Sequence, residues 1–212
     1  MYQLHPSLTL QKLFKDKPYQ GCCPIQAKYL FIGLDANYAE DIEQQPIFPK
    51  LLEYHQDGVA FWKKYGVHHP FLMSGYQGDG RKYHQVFAKI GLTSDDAEKI
   101  SFVELLDLPT VGLNTLKQTD LTQAHLDYLQ QAIFSQHKKA VFMSDGVYRL
   151  MKKTNNFQWL KQAKTIEAYP LDLYFNDKVK IFKQKHFSYR YAKAGVMEQQ
   201  AQAIGYLIQS DS

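Results

Sequence analysis

The stretch Lys-Tyr-Leu-Phe-Ile-Gly-Leu-Asp-Ala-Asn-Tyr, residues 28–38, decides the expected fold of the chain. Its first half is an apolar run of β-favouring residues, which is typical of a buried strand in a parallel sheet. The run breaks at Gly33 and places Asp35 and Asn37 just past the end of the strand. Because ligands of open α/β sheets bind outside the carboxyl ends of the strands, Asp35 is a candidate catalytic carboxylate. The structural alternative is that Asp35 only caps the helix or turn that follows.

Three more apolar runs, at residues 99–106, 140–143 and 179–185, indicate further buried strands. Helical patterns separate them, and the clearest amphipathic helix is predicted at residues 120–137. Strands that alternate with helices pair in parallel through right-handed crossovers. We therefore expect an α/β fold with a single domain over residues 1–212. Its architecture would be a three-layer αβα sandwich with a central parallel four-stranded sheet.

Several local patterns add detail to this expectation. Ser7 precedes an amphipathic run and predicts the N-cap of a first helix, and a last helix is predicted from about residue 197 to 208. Residues 165–169 are expected to form a short strand, and residues 173–178 resemble a hairpin turn. The adjacent His68 and His69 lack the spacing of metal ligands and are expected on a loop at the surface.

Composition limits the classes of function. The net charge of +4 is compatible with a nucleic-acid partner but does not establish one. The only two cysteines, Cys22 and Cys23, are adjacent, so we expect reduced thiols and a cytoplasmic protein, and a four-cysteine zinc or iron–sulfur site is excluded. No apolar run approaches the ~18 residues of a membrane span, so no membrane association is expected.

Polar groups follow four of the expected strands, and the carboxyl ends of parallel strands meet at one edge of a sheet. These groups are Asp35, Glu104, Ser144 with Asp145, and His186. The segment after the last strand, residues 183–191, also contains Ser188, Arg190 and two tyrosines, which suit contacts to phosphates and bases. The alternative is a solvated basic loop whose histidine makes only a local hydrogen bond.

At these positions the chain resembles the uracil-DNA glycosylase superfamily. Residues 33–38, Gly-Leu-Asp-Ala-Asn-Tyr, match the motif after the first strand, which reads Gly-Gln-Asp-Pro-Tyr-His in the best-known branch. Residues 186–190, His-Phe-Ser-Tyr-Arg, resemble the second motif, His-Pro-Ser-Pro followed by Leu or Arg. Residues 101–104 and 140–146 are similar to the two strands between these motifs, in the same order.

The resemblance implies a hydrolase that cleaves the N-glycosidic bond of a damaged base flipped out of DNA. Asp35 would stabilise the sugar cation and position water, while His186 would donate to the departing base. Arg190 would fill the gap left by the base, with Ser188 as a further DNA contact. Independently of the resemblance, the glycine-rich loop at residues 74–80 is expected to approach the DNA backbone, with Ser74 as a phosphate contact. Such an enzyme needs no metal and no organic cofactor, and we expect it to act on DNA as a monomer.

Two departures from the family bear on the base. Asn37 stands where the best-known branch has a Tyr that excludes the thymine methyl group, and Glu104 stands where an Asn reads the base. An ionised Glu104 would offer only acceptors, whereas a protonated Glu104 would imitate the mixed donor and acceptor of an amide. Phe48, expected in a loop between Pro46 and Pro49, is the candidate for stacking on the base.

Two other functions fit the same residues. The first is a binding module of this fold that recognises DNA or another partner without catalysis. Two departures favour it: Glu104, and the residues Ala36, Phe187 and Tyr189, which stand where the family's motifs have proline. The second is an enzyme that acts on free nucleosides or nucleotides, which would need no residue to fill a gap in duplex DNA.

Overall fold

The computed structural model of the chain describes residues 2–112, 115–137, 140–189 and 195–210. The helices are α1 (Leu8–Asp16), α2 (Phe48–Gln56), α3 (Gly58–Tyr65), α4 (Arg81–Ala88), α5 (Gln123–Ile133), α6 (Asp145–Met151) and α7 (Val196–Ser210). The strands are β1 (Tyr19–Gly21), β2 (Tyr29–Gly33), β3 (Ala36–Asn37), β4 (Ile100–Glu104), β5 (Pro109–Thr110), β6 (Ala140–Ser144), β7 (Lys164–Ile166), β8 (Asp172–Phe175) and β9 (Lys180–Gln184).

The main sheet has seven strands in the order β1-β4-β2-β6-β9-β8-β7. The four central strands β4, β2, β6 and β9 are parallel, and they are the four that the sequence predicted. The expected four-stranded, wholly parallel sheet is nevertheless wrong. β1 pairs antiparallel with β4 at one edge, and β8 and β7 extend the other edge in antiparallel order. These edge strands are short, and β7 is exposed along its whole length, so they lack the buried pattern that identified the others.

Helices cover both faces of this sheet, because alternate residues of each central strand point to opposite sides. In β2, Leu30 and Ile32 pack with Leu129 of α5 on one face. Phe31 packs on the other face against Phe87 of α4, with ring centroids 4.9 Å apart. The fold is therefore α/β, with a mostly parallel central sheet between layers of helices.

The carboxyl end of β2 lies where the order of the parallel strands reverses. β2 is the first strand of the parallel set but lies between the second and the third, so the strand order reverses beside it. Ligands of open α/β sheets bind in the crevice at such a reversal. A second, two-stranded sheet forms there, since Ala36 pairs with Pro109 and Asn37 with Thr110. This pairing holds the loop after β4 against the loop after β2.

Local predictions are confirmed in some places and wrong in others. Ser7 caps α1 by accepting a hydrogen bond from the Leu10 amide at 3.0 Å. The hairpin turn is present between β8 and β9, where the Asn176 side chain accepts from the Val179 amide at 3.0 Å. The predicted helix at residues 120–137 is shorter in the structure, where α5 spans Gln123–Ile133. Among the described residues, no helix combines the length and apolar character that crossing a membrane requires.

Two residue placements were wrong. Phe48 is the first residue of α2 rather than part of a loop, because the Pro at position 49 is well tolerated in the first turn of a helix. His68 and His69 are buried, with 4% and 6% of their surface exposed, instead of lying at the surface. They are accommodated by aromatic packing: the rings of His69 and His84 stack with centroids 3.7 Å apart, and His68 hydrogen-bonds His84 at 3.1 Å.

Candidate active site

Glu104 lies over Gly33, at the ends of two neighbouring strands. The two residues are register partners between β2 and β4. A Cβ atom added to Gly33 would lie 2.6 Å from Glu104 Cδ and 2.7 Å from Oε1, which is closer than such atoms approach. Gly33 therefore leaves the space that the Glu104 carboxyl group occupies. The main chain is fixed at the same point, since the His125 ring hydrogen-bonds the Glu104 carbonyl oxygen at 2.8 Å.

Asp35 is held by Thr110 in a chain of hydrogen bonds. The Asn37 side-chain amide lies 3.2 Å from Thr110 Oγ1 and donates to it, because an amide N–H can only donate. Thr110 Oγ1 thus accepts from Asn37 and gives its own proton to Asp35 Oδ2, at 2.5 Å. Thr110 is fully buried, so this arrangement is fixed by packing.

The Asn37 side chain connects the loop after β2 to the loop after β4. Besides the contact with Thr110, its amide group donates to the Gly112 carbonyl oxygen at 2.7 Å. Both contacts join the loop after β2 to the loop after β4. The predicted base-binding role of Asn37 would have to use its carbonyl oxygen, since its amide group already donates within the protein.

Three tyrosines, the buried Tyr38 and Tyr54 and the partly buried Tyr83, lie within electrostatic range of Glu104. Burial raises the pKa values of Tyr38, Tyr54 and Tyr83, and the nearby Glu104 charge adds to the effect in each case. Burial also raises the pKa of Glu104 to about 8, with a further contribution from the charge of Asp35. The site thus places two carboxyl groups with different surroundings next to each other.

His186 follows β9 at the same edge of the sheet. Its Nδ1 atom accepts a hydrogen bond from the Ser188 amide at 3.2 Å. A neutral histidine that accepts at Nδ1 carries its proton on Nε2, where it can donate. Burial lowers the pKa of His186 from its ordinary value of 6.5, and the Asp35 carboxylate opposes that shift, so the ring is neutral above pH 6.5. The Tyr83 ring packs beside His186, with centroids 5.2 Å apart.

The structure therefore brings three of the four polar strand ends into one electrostatic cluster. Asp35 acts on the pKa of both Glu104 and His186, which makes it the shared neighbour. The fourth strand end is engaged elsewhere. Asp145 forms ion pairs with Lys183 at 3.2 Å and with Lys185 at 3.0 Å. These ion pairs line a neighbouring cavity of about 380 Å³ whose wall does not include Asp35, Glu104 or His186.

The remaining residues that were predicted to contact the base or DNA lie in several parts of the fold. Phe48 is partly buried against the apolar cluster that contains Tyr38 and Phe71. Ser74 is exposed in the glycine-rich loop, which Arg81 holds by donating to three carbonyl oxygens. Ser188 contributes its main-chain amide to His186. Arg190 lies outside the described residues.

The sequence reasoning missed Thr110 and Tyr83. Thr110 does not follow an expected strand directly, and nothing near it in sequence points to Asp35, 75 residues away. Tyr83 lies in α4, and no strand end or motif in the sequence points to it. A pattern that could have drawn attention to it is its neighbour His84, because two polar rings in succession are unusual on a buried helix face.

In the part of the chain that the structure describes, no three His, Cys, Asp or Glu side chains form a group able to hold a metal ion. Comparison of the sequence with models of known protein families gives no match, and comparison with curated proteins gives no significant match. The functional assignment therefore depends on the geometry of this cluster and on the motifs quoted above.

Proposed function

We propose that the protein is a DNA base glycosylase, a hydrolase that cleaves the N-glycosidic bond of a damaged base. One observation carries the proposal: a carboxylate anchored by Thr110, Asp35, lies within electrostatic reach of a neutral histidine, His186, that keeps a proton on Nε2. The two groups follow different strands and meet at the edge where α/β sheets bind their ligands.

The reaction needs both groups. Cleavage of an N-glycosidic bond creates positive charge on the sugar and negative charge on the departing base. Asp35 stabilises the sugar cation and orients a water molecule, which adds to C1′ as the bond to the base breaks. The electron pair of that bond leaves with the base, where His186 Nε2–H donates to an oxygen that gains negative charge. The proton lost by the water passes to Asp35.

The proposed substrate is DNA, and the target base must leave the duplex to reach this site. The net charge of +4 favours an anionic partner. Ser188 and Ser74 are proposed phosphate contacts, and Arg190 is proposed to fill the gap that the base leaves. Phe48 is a weaker proposal as a stacking residue, because it already packs on the protein's own apolar cluster.

Catalysis is favoured here over DNA binding alone. Binding of DNA requires cations and hydrogen-bond donors that contact phosphates, and it has no use for a carboxylate held next to a neutral histidine. We further propose that the enzyme acts as a monomer in the cytoplasm, in agreement with Cys22 and Cys23, neither of which forms a disulfide.

The test is incubation of purified protein with oligonucleotides that each carry one altered base, including uracil, hypoxanthine and xanthine. Alkali then cleaves the strand wherever a base has been removed. Strand cleavage for at least one base supports the proposal. Salt-dependent DNA binding without cleavage of any oligonucleotide would favour the binding module, and release of base from free nucleosides alone would favour the nucleoside enzyme.

A further inference from the structure

The protonation state of Glu104 follows from the arrangement of the two carboxyl groups, and its role rests on the function proposed above. Asp35 Oδ2 accepts a hydrogen bond from the Thr110 hydroxyl group. Glu104 is packed over Gly33 and among tyrosines, and within the described residues no group donates a hydrogen bond to its carboxyl oxygens. Two adjacent carboxyl groups in such a place do not both ionise readily, and the less stabilised one keeps a proton.

The groups that face Glu104 support this assignment. They are Asp35 after β2, Tyr38 at the end of β3, Tyr54 in α2 and Tyr83 in α4. None of these four is a cation, so no positive charge among them stabilises an ionised Glu104. Burial and the Asp35 charge both act in the same direction on the Glu104 pKa.

We propose that Glu104 is a neutral carboxylic acid when it meets the target base, and that it reads an edge of the base on which one acceptor stands beside one donor. The lactam group, –CO–NH–, of a deaminated base is such an edge. The acid O–H donates to the base carbonyl oxygen, while the acid C=O accepts from the base N–H. An ionised carboxylate would instead require two donors side by side.

This role makes Glu104 a specificity-determining residue whose recognition is lost when it ionises. Glutamine has the same shape and also offers one donor and one acceptor, but it does not titrate. Alanine offers neither. A comparison of the wild-type protein with Glu104→Gln and Glu104→Ala therefore distinguishes base recognition by a neutral acid from recognition by a carboxylate.

The first experiment measures single-turnover release of a lactam base, uracil or hypoxanthine, between pH 7 and 9.5. With a pKa of about 8, the neutral fraction of Glu104 falls about 30-fold over this range, and the wild-type rate should follow it. Glu104→Gln should release the base less than about tenfold more slowly at pH 7, and its rate should not fall with pH, whereas Glu104→Ala should be at least about 100-fold slower.

Two controls accompany this measurement. Glu104→Gln controls for titration of the base itself, and Glu98→Gln, on the exposed surface, controls for removal of a carboxylate elsewhere. If Glu104→Gln is as inactive as Glu104→Ala, the proposal is overturned.

The second experiment does not depend on catalysis. Carbon-13 NMR of the Glu104 carboxyl group should show a midpoint near pH 8, and Asp35→Asn should lower it because the neighbouring negative charge is gone. A midpoint near the ordinary value of 4.5 would overturn the inference about Glu104 even if bases are released. A midpoint near 8 without release of any base would instead reject the proposed function.

Discussion

Thr110 Oγ1 lies 2.5 Å from Asp35 Oδ2 and 3.2 Å from the Asn37 amide nitrogen, so one buried hydroxyl connects two residues of the loop after β2. The direction of the proton is determined by chemistry, since the amide can only donate to the hydroxyl. Thr110 is therefore a positioning residue. It fixes the orientation of the Asp35 carboxylate.

Replacing Thr110 with valine should slow base release about 10- to 100-fold, because valine keeps the shape of threonine but leaves Asp35 without this donor. The loss should appear in kcat, with little change in KM, since Thr110 does not contact DNA. Single-turnover and steady-state kinetics on the same oligonucleotide measure the two parameters. The free energy of unfolding should be about 1–3 kcal/mol lower than in the wild type, because a buried polar group is left without a hydrogen bond.

Two variants separate this role from general stability. Thr110→Ser keeps the hydroxyl and should recover most of the rate. Thr154→Val removes another buried hydroxyl, which donates to the Met151 carbonyl oxygen at 2.8 Å, and should destabilise the protein without the loss of kcat. An equal loss of kcat in Thr154→Val would show that Thr110 acts only through stability.

Gly33→Ala should displace the Glu104 carboxyl group, because the added Cβ would lie 2.6 Å from Glu104 Cδ. We expect base release to fall at least about tenfold and stability to fall by about 1–3 kcal/mol. Gly146→Ala is the matched control, since its Cβ would meet only Ser144 Oγ at 3.9 Å in helix α6. That variant should keep the activity and unfold no more easily. Wild-type activity in Gly33→Ala would contradict the placement of Glu104.

Stability should fall as the pH drops below 6.5 because of the buried histidines. Burial lowers the pKa of His84 to about 3, and it lowers the pKa values of His68 and His69 as well. Below pH 6.5 the unfolded chain binds protons that the folded chain does not, so unfolding becomes easier with each step toward pH 3. By pH 5 the loss from His84 should be about 2 kcal/mol.

Urea denaturation at pH 7.5 and pH 5 measures this dependence. His84→Phe keeps an aromatic ring but removes one titrating group, so its free energy of unfolding should change less between the two pH values. The exposed His137 provides the control, and His137→Gln should behave like the wild type. A pH dependence that is the same in all three proteins would show that His84 does not titrate as described.

His186 should be neutral with its proton on Nε2 at pH 7, since Nδ1 accepts from the Ser188 amide. Nitrogen-15 NMR distinguishes the two neutral tautomers from each other and from the imidazolium ion. In Asp35→Asn the midpoint of the His186 titration should fall further, because the Asp35 charge raises that pKa in the wild type. A midpoint that rises or stays the same in this variant would contradict the coupling of the two groups.

The central parallel strands could be predicted because their buried residues form continuous apolar runs, as in Tyr29–Ile32. Of the antiparallel edge strands, β7 overlaps the short strand expected at residues 165–169. Strands β1 and β8 were not predicted, because they are short and mostly only partly buried. The burial of His68 and His69 was missed because histidine usually lies at the protein surface. The ring of His84 that stacks on His69 and hydrogen-bonds His68 is not evident from the local sequence.

The candidate site was likewise predictable only in part from the sequence. Asp35, Glu104 and His186 were identified because each follows an apolar strand, and strand ends of a parallel sheet share one edge. Thr110 was not identified, because its contact with Asp35 depends on the pairing of Ala36 with Pro109, which leaves no signal in the local sequence. Phe48 was misplaced because two nearby prolines indicated a loop where one of them in fact stands in the first turn of a helix.

The central claim is that Asp35 is the catalytic carboxylate of base release from DNA. Its most direct test is single-turnover release of free base, detected by mass spectrometry, by the wild-type protein and by Asp35→Asn. We predict that the wild type releases at least one base and that Asp35→Asn does so about 10²–10⁴-fold more slowly, with unchanged affinity for DNA. Release of no base by the wild type, or equal rates for the two proteins, would contradict the account.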